Sequence, residues 1–450
     1  VNLTSAELAA RLGGVLHGPS TDLTNFATDS REAGPGTAFL CIQGAQVDGH
    51  TFWPQARAQG AAVAVAEREV EEPYILVPNL VEALANLGRS WRAEWSHPVI
   101  GITGSNGKTT TKELIAASLR SRGPVLKSPG NRNTEYTSPL VWAEAAGKGI
   151  AVIEMAMRGF GQIAHLARIH QPTLGLITGI GTAHAEMVGN REGICRAKSE
   201  LLRDLPANGL SILPADDDFL QDLRAAAPGP VRTFGFAPES DVVITGYRAL
   251  SLTACQVAVR VDGTPYEFEL PTVGRHNAKN AAAAIAVATA VGIDPATAIA
   301  DLAHAEWPPM RLEIRERNGV TIIVDTYNAS PDSTVAAIRS LREAPIAGRR
   351  LAVLGEMREL GDFSEGGHRL VGRALMESEL DAVLLTGGPT KFIESEAVQA
   401  GFPPERIQSL ESPDPVAIHA WMQQAQPGDA ILLKGSRALG LERALEVSPE

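Results

Sequence analysis

Apolar and polar positions along the chain fall into three successive patterns. In the first, Thr4 and Glu7 frame Leu8 and Leu12 as a capped helix, which Gly13-Gly14 ends. Short apolar runs at 37–42, 62–66 and 74–77, broken by Gly, Pro and Asp, predict strands. Trp95-Ser96-His97-Pro98 reads as a linker. Beyond it, 99–103 predicts a strand, 108–120 a helix, and 149–153 and 173–178 further strands, the alternation of a parallel α/β sheet. Residues 242–270 alternate with period two and predict an antiparallel addition, and the alanine-rich 277–291 predicts a closely packed helix. From Arg311 onward, strands at 320–324, 350–354, 382–385 and 430–433 alternate with helical stretches. The pattern predicts an α/β chain of three domains, 1–97, 98–310 and 311–450.

A length of 450 residues agrees with that count. Lys and Arg total 40 against 52 Asp and Glu, so the net charge of −12 excludes the broad basic face of a nucleic-acid or acidic-membrane binder. It does not exclude anionic small molecules held by a few local cations. Cys41, Cys195 and Cys255 are far apart and in no metal-ligand spacing, which fits a reduced, cytoplasmic setting. No apolar run reaches the roughly 18 residues of a membrane span, and no signal-peptide pattern opens the chain. No membrane insertion is expected, and a monomer is.

One junction carries recognisable chemistry. Ile102-Thr103-Gly104-Ser105-Asn106-Gly107-Lys108-Thr109-Thr110 lies between a predicted strand and a predicted helix. There glycines let backbone N–H groups close around phosphate oxygens, and the helix N-terminus adds a favourable dipole. Lys108 suits the β- and γ-phosphates, and the hydroxyl of Thr109 or Thr110 suits Mg2+. The first glycine of the usual G-x-x-x-x-G-K-[ST] spacing is displaced to position 104. Lys108 is also the first of only eight lysines, set against 32 arginines. A nucleoside triphosphate site follows. Glu154 ends the apolar run 150–153, at the carboxyl end of a predicted parallel strand where such sheets bind ligands. A carboxylate there suits a Mg2+ held between phosphates.

T-G-x-x-G-K-T-T, beginning at Thr103, resembles the Mur ligase family, ATP-dependent amide ligases of peptidoglycan-precursor assembly related to folylpolyglutamate synthases. The stretch from Thr178 to His184 resembles the family's T-x-I-G-x-A-H, which implies His184 as a metal ligand. Lys198, in Arg-Ala-Lys-Ser-Glu, matches the lysine that becomes a carbamate, an oxygen ligand for a second Mg2+ or for a water on the first. Gly274 to Asn280 matches G-x-H-N-x-x-N, implying that the Asn280 amide, both donor and acceptor, faces adenine. Arg311 and Asp325 resemble the ATP contacts of the closing C-terminal domain. The resemblance thus implies Lys108, Glu154, His184 and Lys198 as the catalytic group, with Thr109 joining the last three around metal.

The stretch from Asp325 to Ser333 resembles the D-x-Y-N-A-N-P-x-S of the branch that adds D-alanyl-D-alanine, implying Tyr327, Asn328 and Ser333 as dipeptide contacts. Leu354 to Gly361, followed by Ser364 and His368, and Gly428 to Arg437 resemble the same branch. The Tyr-Ala-His and D-x-P-R versions of the branch that adds the third residue are absent. Thr28-Asp29-Ser30-Arg31 and Asp48-Gly49-His50-Thr51-Phe52 resemble the uridine-diphosphate-binding domain. They imply Ser30, Arg31, Asp48 and His50 as substrate contacts, with Asn131 and Asn133 from the loop at 127–134. Gln162 stands where the family commonly has glutamate.

The fold implied is a small N-terminal UDP-binding α/β domain, a central mononucleotide-binding parallel sheet and a C-terminal Rossmann-like domain. The reaction implied joins D-alanyl-D-alanine to UDP-N-acetylmuramoyl-tripeptide through an acyl phosphate, with ATP as co-substrate and Mg2+ as cofactor. The alternatives are addition of diaminopimelate or lysine as third residue, folate glutamylation, or a non-catalytic nucleotide-binding relative. The last predicts loss of Lys108, Glu154 or His184, and all three are present.

Overall fold

The structure, a computed structural model, describes residues 3–44, 47–182 and 185–447. Thr4 caps the first helix, Ser5–Leu12, with the capping box its sequence predicts, and Gly13 closes it in the left-handed conformation. This helix and Leu80–Ala93 cover a five-stranded sheet in which Asn25–Ala27, Thr37–Leu40, Val63–Ala66 and Tyr74–Leu76 run parallel. Val15–His17 adds an antiparallel edge.

Arg92, near the end of helix Leu80–Ala93, fastens this unit to the next. Its guanidinium donates to the carbonyls of His170 (2.8 Å) and Gln171 (3.1 Å), acceptors that the end of helix Gln162–His170 leaves free, and to that of Trp95 (2.7 Å) after its own helix. Gly88 permits the close crossing, since a Cβ there would lie 2.7 Å from Ile169.

The central sheet has nine strands. Val99–Thr103 lies between Ile150–Glu154 and Leu174–Ile177, all three parallel and buried along their length. Such continuous apolar runs form where helices cover both sheet faces. Each fully buried Ile or Leu here, such as Ile100, Ile102 and Leu176, contributes roughly 1.5–3 kcal/mol. Leu210–Pro214 and Val231–Gly235 extend the parallel part, and the period-two region becomes Val242–Ala249, Cys255–Val261 and Thr264–Leu270, an antiparallel extension as predicted. The alanine-rich helix, Arg275–Ala290, buries Ala281 to Ala284 fully, and these small side chains let it pack closely on helix Lys108–Ser118.

The third sheet has six strands, of which Val320–Asp325, Ala430–Lys434, Arg350–Gly355, Ala382–Thr386 and Ile407–Leu410 are parallel. Glu313–Arg317 adds an antiparallel edge. It reads E-I-R-E-R, and its half-exposed charges carry no apolar signal that could predict a strand. Among the described residues no helix is long and apolar enough to cross a membrane.

Candidate active site

The central sheet delivers three strand ends to one place. Its order reverses around Val99–Thr103, and the loop after that strand lies beside Glu154 and the turn at Thr178. Two glycines set the loop. Gly104 leaves no room for a Cβ, which would stand 1.8 Å from Thr178 Oγ1. Gly107 has φ +79° and opens helix Lys108–Ser118. The neighbouring turn braces the loop. Ser105 N–H donates to Gly179 O (2.9 Å), Gly181 N–H to Ser105 Oγ (2.9 Å) and Thr178 Oγ1 to Asn106 O (2.6 Å).

Lys108 Nζ donates to the carbonyls of Gly104 (2.7 Å) and Ser105 (3.3 Å), so the ammonium lies along the loop. Burial pushes its pKa below the ordinary lysine value; Glu154 opposes that and Arg311 adds to it. Thr109 Oγ1 accepts from Arg311 (3.3 Å). Thr103 and Thr110 are buried, Thr103 at the strand end and Thr110 in the helix behind the loop.

Glu154 is buried at 2 % exposure. Its Oε1 accepts from Asn133 Nδ2 (2.8 Å), while Oε2 has no hydrogen-bond partner. A buried carboxylate oxygen without a donor is costly and suits a hard cation. The residues present therefore fit Mg2+ at this point. Among the described residues no three His, Cys, Asp or Glu side chains cluster as a complete metal cage. His184 lies outside the described residues. Lys198, on helix Arg191–Lys198, is fully buried, and burial with the nearby Lys108 charge lowers its pKa well below the ordinary value. That favours the neutral amine a carbamate requires.

The third sheet closes a cleft of about 760 Å³ over this floor, within the range of small-molecule sites. Asp325 and Lys434 end adjacent strands and pair at 2.8 Å. Lys434 also donates to Asn328 O (2.7 Å), and the Arg311 guanidinium stacks 4.3 Å over Tyr327. Besides Arg311 on Thr109, further contacts bind the units directly. Ser330 Oγ donates to Asn106 Oδ1 (3.0 Å), and Asp332 Oδ2 accepts from Thr182 N–H (2.9 Å) and Oγ1 (3.0 Å).

Asn131, Asn133, Asn280, Arg311, Asp325, Tyr327, Asn328 and Ser333 all line this cleft with the phosphate loop. Ser333 also serves locally, since its Oγ accepts from Ser330 N–H (2.9 Å) in a capping box. Ser30, Arg31, Asp48 and His50 lie in the N-terminal unit, outside the cleft wall. There Ser30 bonds Gln55, Arg31 is exposed beside Asp29, and Asp48 holds both Arg68 and the His50 ring. His50 is buried with both ring nitrogens engaged, Nδ1 with Asp48 (2.7 Å) and Nε2 accepting from Glu67 N–H (3.1 Å). Gln162 Oε1 accepts from Arg158 N–H (2.6 Å) and Gly159 N–H (3.1 Å), a role either an amide or a carboxylate can fill.

Lys112, Asp332 and His276, to which the resemblance gives no role, also belong to this region. Lys112 follows Lys108 at helical spacing among only eight lysines, a signal that was present. His276 lines the cleft, and burial brings its pKa down to about 4.

A loop suited to phosphates, with a second α/β unit folded over it, fits a nucleotide-driven ligase. Family models described as Mur ligase family catalytic domain, Mur ligase middle domain and Mur ligase glutamate ligase domain match residues 22–92, 102–288 and 310–437. The chain belongs to the Mur ligase family. Its relatives there carry a more particular name. The UDP-N-acetylmuramoyl-tripeptide--D-alanyl-D-alanine ligase of Bacillus subtilis is 34% identical over 99% of this chain and 98% of its own. The crystal structure of MurF from Acinetobacter baumannii matches with a TM-score of 0.88 at 32% identity, covering 99% of this chain and 98% of that one. The MurF ligase of Thermotoga maritima in complex with ADP matches at 0.80 and 32%, covering 94% and 96%.

Proposed function

We propose that this chain is an ATP-dependent, ADP-forming ligase that joins D-alanyl-D-alanine to UDP-N-acetylmuramoyl-tripeptide. The observation that carries the reading is that the phosphate loop, Glu154 and the Tyr327–Asn328–Lys434 group face one cleft, on a chain whose full-length relatives bear that ligase's name.

A carboxylate is a poor electrophile, so it must first be activated. The tripeptide's terminal carboxylate attacks the γ-phosphorus of ATP, giving an acyl phosphate and ADP. The amine of D-alanyl-D-alanine attacks the acyl carbon, and the tetrahedral intermediate expels inorganic phosphate as the amide forms. Loop N–H groups and the Lys108 ammonium bind the phosphates and offset charge on the transferring group. Asn280 meets the adenine edge, and Arg311 and Asp325 hold the nucleotide from the third unit. Tyr327 and Asn328 face the incoming dipeptide, and Asn131 and Asn133 the peptide end of the UDP substrate. Ser30 and Arg31 lie where the N-terminal unit takes the uridine diphosphate; Asp48 and His50 shape that loop. Thr109 and Glu154, with His184 and a carbamate of Lys198, would hold Mg2+, which would supply neutralisation of phosphate charge. Closure of the third unit keeps water from the acyl phosphate. The reading includes action as a monomer in the cytoplasm.

The test is ADP release with UDP-N-acetylmuramoyl-tripeptide, ATP and Mg2+. Strong stimulation by D-alanyl-D-alanine is expected. Stimulation by diaminopimelate or lysine with the dipeptide-charged precursor instead would overturn the reading.

A further inference from the structure

Lys112 lies one helical turn beyond Lys108 and is fully buried. A buried ammonium is costly unless its donors are used. Its Nζ donates to the carbonyls of Ser128 (2.7 Å) and Gly130 (3.1 Å), and stands 3.3 Å from Glu113 Oε1 and 3.8 Å from Glu154 Oε2. Glu113 Oε2 in turn meets Lys127 at 2.5 Å, and Lys127 meets Glu306 at 2.6 Å. Opposite charges thus alternate from the surface inward and end at the Glu154 carboxylate. The loop that Lys112 grips reaches the same residue twice, at its carboxylate through Asn133 Nδ2 on Oε1 (2.8 Å) and at its backbone through Ser128 Oγ, which accepts from Glu154 N–H (3.0 Å). One side chain therefore joins the phosphate-loop helix, the 128–133 loop and the end of strand Ile150–Glu154. The bracing of the phosphate loop by Thr178, Gly179 and Gly181 uses none of these groups.

We propose that Lys112 is a positioning residue that holds the Glu154 carboxylate and the 128–133 loop in place to receive the peptide substrate, with Glu113 as the counter-charge that keeps it there. The identity of that substrate rests on the proposed function above. A methionine at this position fills the volume but leaves the Ser128 and Gly130 carbonyls without their donor, so Asn131 and Asn133 lose their fixed positions. The nucleotide grip stays.

Calorimetric titration of wild type and Lys112→Met with UDP-N-acetylmuramoyl-tripeptide, and separately with ADP without added Mg2+, tests this. The expected result is tripeptide affinity weakened at least about tenfold, ADP affinity within about threefold, and a matching rise in KM for the tripeptide. A merely structural role would lower Tm and the active fraction while leaving both affinities of the folded protein alike. Affinities that are both unchanged, or both weakened to the same degree, overturn the proposal. Glu113→Gln preserves shape and carries the test should Lys112→Met fail to fold; the same asymmetry of at least about threefold is expected, and its absence counts against the proposal equally. A wild type that binds no tripeptide overturns the proposed function and this inference together. A wild type that binds it, with variants that bind as tightly, overturns this inference alone.

Discussion

Gly107→Ala probes the phosphate loop where it turns into helix Lys108–Ser118. The residue has φ +79°, and an added Cβ would stand 2.7 Å from Asn280 Oδ1. Left-handed backbone costs an alanine roughly 1–2 kcal/mol. The contact adds to that, because Asn280 has little freedom to yield. Its Nδ2 lies 3.3 Å from Asn277 Oδ1, and Asn277 is itself pinned to Val273 O at 2.9 Å. The loop must move instead, and its N–H groups leave the phosphates. A combined loss of about 2–3 kcal/mol corresponds to roughly 30- to 150-fold weaker nucleotide affinity, at about 1.4 kcal/mol per tenfold. Calorimetry with ADP measures it. Asn280→Ser should weaken binding alone, yet in the double variant it relieves the contact and leaves only the backbone cost, so the double loss falls short of the sum. Affinity of Gly107→Ala within threefold of wild type, or strict additivity, would refute the reasoning.

Other expectations follow from the same geometry. Lys108→Met should lower kcat by about 10²–10³, the usual loss of a transition-state charge partner, without lowering Tm, because burial already disfavours its ammonium; a fall in Tm with kcat kept would contradict this. His170 is fully buried, accepts from Trp142 Nε1 at 3.0 Å, and has its pKa brought down from 6.5 to about 3 by burial. It stays neutral when folded and protonates when unfolded, so its contribution is complete above pH 6.5 and is lost as pH falls towards 3. The loss reaches about 2 kcal/mol at pH 5. Urea midpoints of His170→Gln should therefore change less between pH 7 and pH 5 than those of wild type, and parallel curves would count against it. Asp332→Ala removes the two bonds to Thr182, about 1–2 kcal/mol between the units. Amide exchange at Thr182 should quicken, and unchanged protection would rule out the contact as a latch.

Much of this was legible in the residues. The capping box at Thr4, the strand–loop–helix at 99–118 and the antiparallel insertion at 242–270 show local signals that survive folding. The edge strand Glu313–Arg317 does not, because half-exposed alternating charge looks like a loop. Among the residues that motifs single out, Lys108, Glu154, Asn280, Arg311, Asp325 and Tyr327 line one cleft, whereas Ser30, Arg31, Asp48 and His50 lie in the N-terminal unit outside it. Lys112 was missed because a lysine in a helix reads as solvated. Only the carbonyls of Ser128 and Gly130, brought there by the sheet, show that it is not. His50 illustrates the opposite. A histidine that suggests ligand contact is fully occupied by Asp48 and a backbone N–H.

The central claim is that a peptide carboxylate is activated by phosphoryl transfer before the dipeptide attacks. It is tested most directly by following heavy oxygen from the terminal carboxylate of labelled UDP-N-acetylmuramoyl-tripeptide during turnover with ATP and D-alanyl-D-alanine. The account predicts that one labelled oxygen appears in each inorganic phosphate released, together with the pentapeptide product by mass spectrometry. Phosphate released without label, or label transfer indifferent to the dipeptide while no pentapeptide forms, would contradict it.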